Sequence, residues 1–208
     1  MTNQELARFK PVDPDSLSCC FAACAINAIR ILEDNTPPVA HKISRALRYN
    51  SSATDMGNLL SVLREGRETK IDYNFLVRRA DKTAVRTLIR RLLDQGHLCE
   101  LTVSGRIWIS RVLNEDGWTR VNSLHSILVS NLISSFRHGG FAVRVVDPYS
   151  LTNRLRSWNQ VWESVDKDDG YAGIGIFSSE KTAFRTKEEL FSPRVAAKFR
   201  QMFAPSNP

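Results

Sequence analysis

With 208 residues, 42% hydrophobic and 25% charged, the chain has the composition of a globular protein able to build one sizeable core. No stretch approaches the roughly 18 uninterrupted apolar residues of a membrane span, and the start "MTNQELARFKPVD" lacks the regions of a signal peptide, so a cytoplasmic address is the default expectation, with delivery by a specialised secretion system equally compatible. The net charge of +7 would suit nucleic acid or another anionic surface, but the positive residues are spread over "RRADKTAVRTLIRR" and "RVAAKFRQ" without interleaved aromatics, which favours solvated helix faces.

In chain order, residues 1 to 18 read as a short helix and an irregular lead-in, "KPVDPDSLS". A helix is expected from about Cys20 to Leu32, with Ser18 as N-cap. "NTPP" breaks it, and a second helix runs from Val39 to Tyr49 with Pro38 near its first turn. "SSATDMGNLLSVLREGRE" reads as a third helix capped by Thr54 or Asp55. "KIDYNFLVRR" is a strand, and "KTAVRTLIRRLLDQG" a helix closed by Gly96. Beyond Gly96 the texture turns to β: "HLCELTV", "RIWISRVL", "LHSILVSNLI", "GFAVRVVD" and "YAGIGIF" are short runs between turn residues, interrupted by a helix in "RSWNQVWESVD" and followed by a terminal helix in "PRVAAKFRQMF". Helices first and a mainly antiparallel sheet afterwards is an α+β order. We expect one domain over 1–208, with a helical lobe over about 16–96, a β lobe over about 97–180 and an extension over about 181–208.

Three of the four cysteines, Cys19, Cys20 and Cys24, crowd one helix start, and the fourth is Cys99. That clustering argues for reduced thiols over disulfides, and the spacing lacks the paired C-x-x-C of a zinc site, so neither metal nor cofactor is expected. A thiol is a nucleophile as its thiolate, which a helix N-terminus and a nearby imidazolium both favour. Cys19 and Cys20 stand where that field is strongest, and Cys24, one turn further in, reads as a core residue.

A thiol nucleophile needs a base. His41 lies in a charged helix, His97 follows a helix-ending glycine, and His138 sits in "RHGG", a hairpin tip. His125 opens the apolar run "HSILVSNLI", and the next strand, "GFAVRVVDPYS", ends at Asp147 before Pro148. If the two runs form a hairpin around "SSFRHGG", His125 and Asp147 fall at the same end of the sheet. There a carboxylate can accept from one imidazole nitrogen and leave the other for the thiol.

Together these pieces resemble the papain-like cysteine peptidases that remove double-glycine leaders from bacteriocins, and their stand-alone relatives. The resemblance rests on "CFAACAINAIRIL", "DMGNLLSVLREG", "LIRRLLDQGHLCELTV", "HSILVSNL", "VRVVDPYS", "RSWNQVWESVD" and "GYAGIGIF" in that order, over roughly Ser16 to Phe177. It implies a papain-like fold and a thiol hydrolase acting on a peptide or protein substrate, with Cys20 as nucleophile, His125 as general base and later acid, and Asp147 as the orienting residue. Cys20 is preferred to Cys19 because Ala23 and Arg30 then fall in the family's register. Two departures stand out. The family's glutamine six residues before the cysteine, an oxyanion donor, is replaced by Pro14 (or Asp13, counted from Cys19), and Phe21-Ala22 replaces Gly-Pro. The Cys20 N–H with a hydroxyl such as Ser16 or Ser18, or a side chain from elsewhere in the chain, would serve instead. The alternatives are therefore a non-catalytic peptide-binding module, or a deamidase or acyltransferase using the same triad. The stretch from Arg106 to Ser123 is longer than a turn; its Trp108 and Trp118 would either shape the cleft or a partner surface, or pack in the core.

Overall fold

The computed structural model describes residues 11, 20–33, 37–47, 51–113, 124–148 and 150–179. The expected Ser18 cap, the lead-in with Asp13, Pro14 and Ser16, Cys19, Trp118 and the terminal helix lie outside the described residues.

The first helix, α1 (Cys20–Glu33), is buried nearly all round, from Ala22 to Ile29 and at Ile31. Its alanines let it lie close against the sheet, at the strand Leu124–Ser135, while α2 (Pro37–Ala46) packs against it. The helix α2 stops several residues short of the expected Tyr49. The next helix, α3 (Ala53–Glu65), corrects the expected cap: it is Ser52, whose hydroxyl accepts from the Asp55 N–H at 3.2 Å while the Asp55 carboxylate accepts from the Ser52 N–H at 2.7 Å. Asp55 is thus the third helical residue of a reciprocal capping box, not the cap.

The sheet is formed by β1 (Asp72–Arg79), β2 (Leu98–Ser104), β3 (Leu124–Ser135), β4 (Gly140–Asp147), β5 (Thr152–Ser157) and β6 (Tyr171–Ser178), in the order β1-β6-β2-β3-β4-β5. Every neighbouring pair is antiparallel. The molecule is therefore α+β, and the strand β1, which precedes Gly96, belongs to the same sheet as the strands that follow it. Between β1 and β2 runs α4 (Lys82–Asp94), capped by the Asp81 carboxylate and ended at Gly96, whose φ of 85° suits glycine.

Period-two alternation sorts the strands onto two cores. Tyr73, Leu98, Leu128, Val146 and Phe177 face α1, α2 and α3. Leu101, Ile127, Val129, Val145 and Ile174 face α4 and the short helix α5 (Trp158–Ser164). The central strands are thus covered on both faces, helices lying above and below.

Two expectations fail for the same reason. "RIWISRVL" has the β-rich composition of a strand, yet it forms a helical turn at Gly105–Ile107 and a π-helical turn at Trp108–Leu113. The preceding strand β2 already has β6 on one side and β3 on the other, so no pairing edge is open to a run that follows it directly. The outer edge of β4 is taken by the polar segment "TNRLRS" as β5, so Arg156 and Ser157, expected to open the helix "RSWNQVWESVD", end a strand instead.

Candidate active site

Three elements converge at one end of the central strands. Cys20 is the first residue of α1, where unpaired backbone N–H groups leave partial positive charge. Beside it begins β3, and the Ser126 N–H donates to the Cys20 sulfur at 3.2 Å. The β3–β4 hairpin turns through Phe136–His138 and two glycines of positive φ, Gly139 and Gly140. Its register pairs Leu128 with Val146, which brings the start of β3 next to the end of β4. His125 and Asp147 therefore meet: His125 Nε2 lies 2.8 Å from Asp147 Oδ1. With Nε2 taken, Nδ1 is the ring nitrogen left for the thiol, and the imidazole and Cys20 are hydrogen-bonded. The structure thus brings together Cys20, His125 and Asp147.

Electrostatics within this group are strongly coupled. Burial alone would push the Cys20 thiol up, but the hydrogen bond and charge of His125 and the Ser126 N–H outweigh it and hold the thiol below its ordinary value. Burial alone would lower His125; hydrogen bonds to Asp147 and Cys20 and the charges of both raise it to about 10. Asp147 would likewise rise on burial, yet His125, then Trp108 and Ser150, keep its carboxyl below the usual range. All three directions favour a thiolate–imidazolium pair backed by a carboxylate.

His97 and His138 do not join the site. His97 is buried after Gly96, with burial lowering its pKa. His138 sits in the hairpin turn with Nδ1 2.8 Å from Ser135 Oγ, and His41 belongs to α2. Cys24 and Cys99 are fully buried thiols outside any disulfide, and burial pushes Cys99 well above an ordinary thiol.

Four residues of the site escaped the sequence reading of the triad. Trp108 is fully buried and donates its indole N–H to Asp147 Oδ2 at 2.9 Å, so it packs in the core and holds the carboxylate at once. Ser150 donates to the same oxygen at 2.8 Å. A serine three residues after an aspartate at a strand end is a local signal that could have been read. Ser126, adjacent to His125, supplies its backbone N–H. Glu100, on β2, lies buried in hydrogen bonds to Tyr73 and Ser126.

Several basic side chains among the described residues lie away from this site. Lys42 pairs with Glu68, Arg64 with Asp72 at 2.8 Å, and Arg86 stacks over Phe141. Arg78, Arg79 and Arg91 line an open concavity of about 630 Å³ between β1 and α4. Among the described residues, no group of three or more His, Cys, Asp or Glu side chains is placed to hold a metal ion, and no helix is long and apolar enough to cross a membrane. Compared with known proteins, the chain matches no protein-family model, no curated protein and no solved structure.

Proposed function

We propose that the protein is a thiol hydrolase of the papain-like kind that cleaves a peptide amide bond. The observation that carries the reading is the continuous hydrogen-bonded series from Cys20 at a helix N-terminus through His125 to Asp147. In this reading the Cys20 thiolate attacks the amide carbonyl carbon, and the negative charge moves to the carbonyl oxygen. The His125 imidazolium gives its Nδ1 proton to the departing amine as the C–N bond breaks, leaving a thioester and a neutral ring. Water then loses a proton to His125, attacks the thioester, and releases the acid and the thiolate. Asp147 holds the Nε2–H throughout and fixes the tautomer.

Iodoacetamide labelling at mildly acidic pH tests the nucleophile. One fast thiol is expected, absent in Cys20→Ala and slowed at least about tenfold in His125→Ala. Uniformly slow thiols overturn the reading. Incubation with a peptide library, read by mass spectrometry, tests the reaction, since peptide cleavage and glutamine deamidation give different masses.

A second reading, a module that holds peptides without turnover, is favoured by Pro14 or Asp13 standing where an oxyanion amide would be needed. Losing one such donor costs about two to three orders of magnitude in rate. It predicts a fast-reacting Cys20 with peptide binding and no product.

A further inference from the structure

Glu100 stands in the middle of the sheet, on β2 between β6 and β3, and is 2% exposed. A bare carboxylate there is costly, and an apolar residue of similar size would be the cheaper filling. The surroundings are built around it. On one side the Tyr73 hydroxyl, reaching from β1 across β6, donates to Glu100 Oε2 at 2.9 Å. The crossing is open because β6 carries Gly175 opposite Glu100: a Cβ there would lie 2.6 Å from the Tyr73 hydroxyl and closer still to the carboxylate. On the other side the carboxyl is hydrogen-bonded to the side chain of Ser126. Ser126 is the residue whose backbone N–H donates to the Cys20 sulfur.

We propose that Glu100 is a positioning residue for the nucleophile: clamped by Tyr73, it fixes Ser126 and with it the N–H that holds the Cys20 sulfur. The proposal rests on Cys20 being the nucleophile. It adds a second handle on the thiol, from the opposite side to His125 and Asp147. The ionisable groups that face this pocket are Tyr73 from β1 and Cys20 and Cys24 from α1; β6 offers only Gly175, and β3 offers the Ser126 hydroxyl with His125 beyond the thiol. Burial pushes the Glu100 carboxyl up to about 7, against hydrogen bonds from Ser126 and Tyr73 that favour its ionised form. Its charge in turn raises the Cys20 thiol. As pH rises through neutrality, Glu100 ionises and works against further thiolate formation.

The test is the pH profile of iodoacetamide alkylation of Cys20 in the full chain. Glu100→Gln keeps the shape and hydrogen-bonding positions and removes the charge. It is expected to leave the acid limb in place where Glu100 is still protonated, and to raise the rate from neutrality upward about threefold, where the wild-type charge opposes the thiolate. Glu100→Leu, which fills the space without holding Ser126, is expected to slow alkylation at every pH, with the glutamine variant restoring it. Tyr73→Phe deletes one donor to the carboxylate, far along the network from Cys20, and is expected to move the inflection near neutrality to higher pH. Profiles of Glu100→Gln and Tyr73→Phe that superpose on that of the wild type overturn the proposal and leave Glu100 a structural residue. Failure of the underlying reading looks different: the fast thiol would then persist in Cys20→Ala with Glu100 intact.

Discussion

Trp108 and Asp147, 39 positions apart in the chain, are joined by an indole N–H donated to a buried carboxylate oxygen at 2.9 Å. The π-helical turn that follows β2 exists in place of a strand, and its first residue is the tryptophan that reaches under β4. Trp108→Phe keeps most of the apolar volume and removes one hydrogen bond to a charged acceptor, a loss of about 1.5–3 kcal/mol. Asp147 would still accept from His125 and Ser150. The expected outcome is a stability loss of about 2 kcal/mol by urea unfolding, with Cys20 alkylation retained within a few-fold. A complete loss of the fast thiol would mean that Trp108 positions more than the carboxylate.

Asp147→Asn should be far more severe. Three donors converge on the carboxylate, from His125, Trp108 and Ser150. An asparagine offers one acceptor oxygen and turns an N–H₂ toward the rest, so at least one buried donor loses its partner. The cost is about 3 kcal/mol. The negative charge that helps to hold His125 near 10 also disappears. The His125 ring, followed by its NMR titration, should therefore ionise at lower pH in this variant, and the fast alkylation of Cys20 should slow. An unshifted ring titration would remove Asp147 from its orienting role.

The hairpin that joins His125 to Asp147 was legible because both strands are apolar runs bounded by turn residues, and antiparallel closure fixes which ends meet. Other features were not legible, for reasons of context. The strand β5 is polar because it pairs at an open edge, where little apolar surface is needed. Residues 106–113 have a strand-like composition, but they follow a strand whose two edges are already paired with β6 and β3. Glu100 is the most instructive case. In "HLCELTV" an acidic residue between apolar ones reads as the solvent face of a half-buried strand. Only the tertiary fold reveals that α1 covers that face too, turning an ordinary glutamate into a buried one.

Two glycines provide opposite tests of this packing. At Gly175 an added Cβ would lie 2.6 Å from the Tyr73 hydroxyl and 2.9 Å from its ring. Neither Tyr73 nor Glu100 can retreat without breaking the hydrogen bond between them. Gly175→Ala is therefore expected to destabilise by about 3 kcal/mol and to disturb Cys20 alkylation through Ser126. Gly57, inside α3, would place a Cβ 3.8 Å from the Tyr73 carbonyl oxygen, an ordinary contact. Gly57→Ala should gain helix propensity and stabilise by about 1 kcal/mol. Urea unfolding of both variants checks the pair, and equal effects would contradict the stated crowding.

The pH dependence of stability separates Glu100 from the thiol–imidazole pair. His125 is raised on folding, so its contribution is complete below about 6.5 and is lost as pH rises through about 10. Cys20 is lowered, so its contribution is complete above about 9 and is lost as pH falls through its folded value. Below about 9, and above both 6.5 and the folded value of Cys20, the folded pair holds one proton, on the imidazolium, and the unfolded pair also holds one, on the thiol. The two slopes therefore cancel there. Glu100 is raised from 4.5 to about 7, so the stability it contributes is complete below 4.5 and is lost as pH rises through about 7. That difference is worth about 3 kcal/mol. Glutamine does not titrate, so the stability of the wild type relative to Glu100→Gln should fall by about 3 kcal/mol from pH 4.5 to pH 8, measured by urea unfolding at closely spaced pH. A flat difference curve would mean that Glu100 remains ionised throughout, with no resistance from its burial.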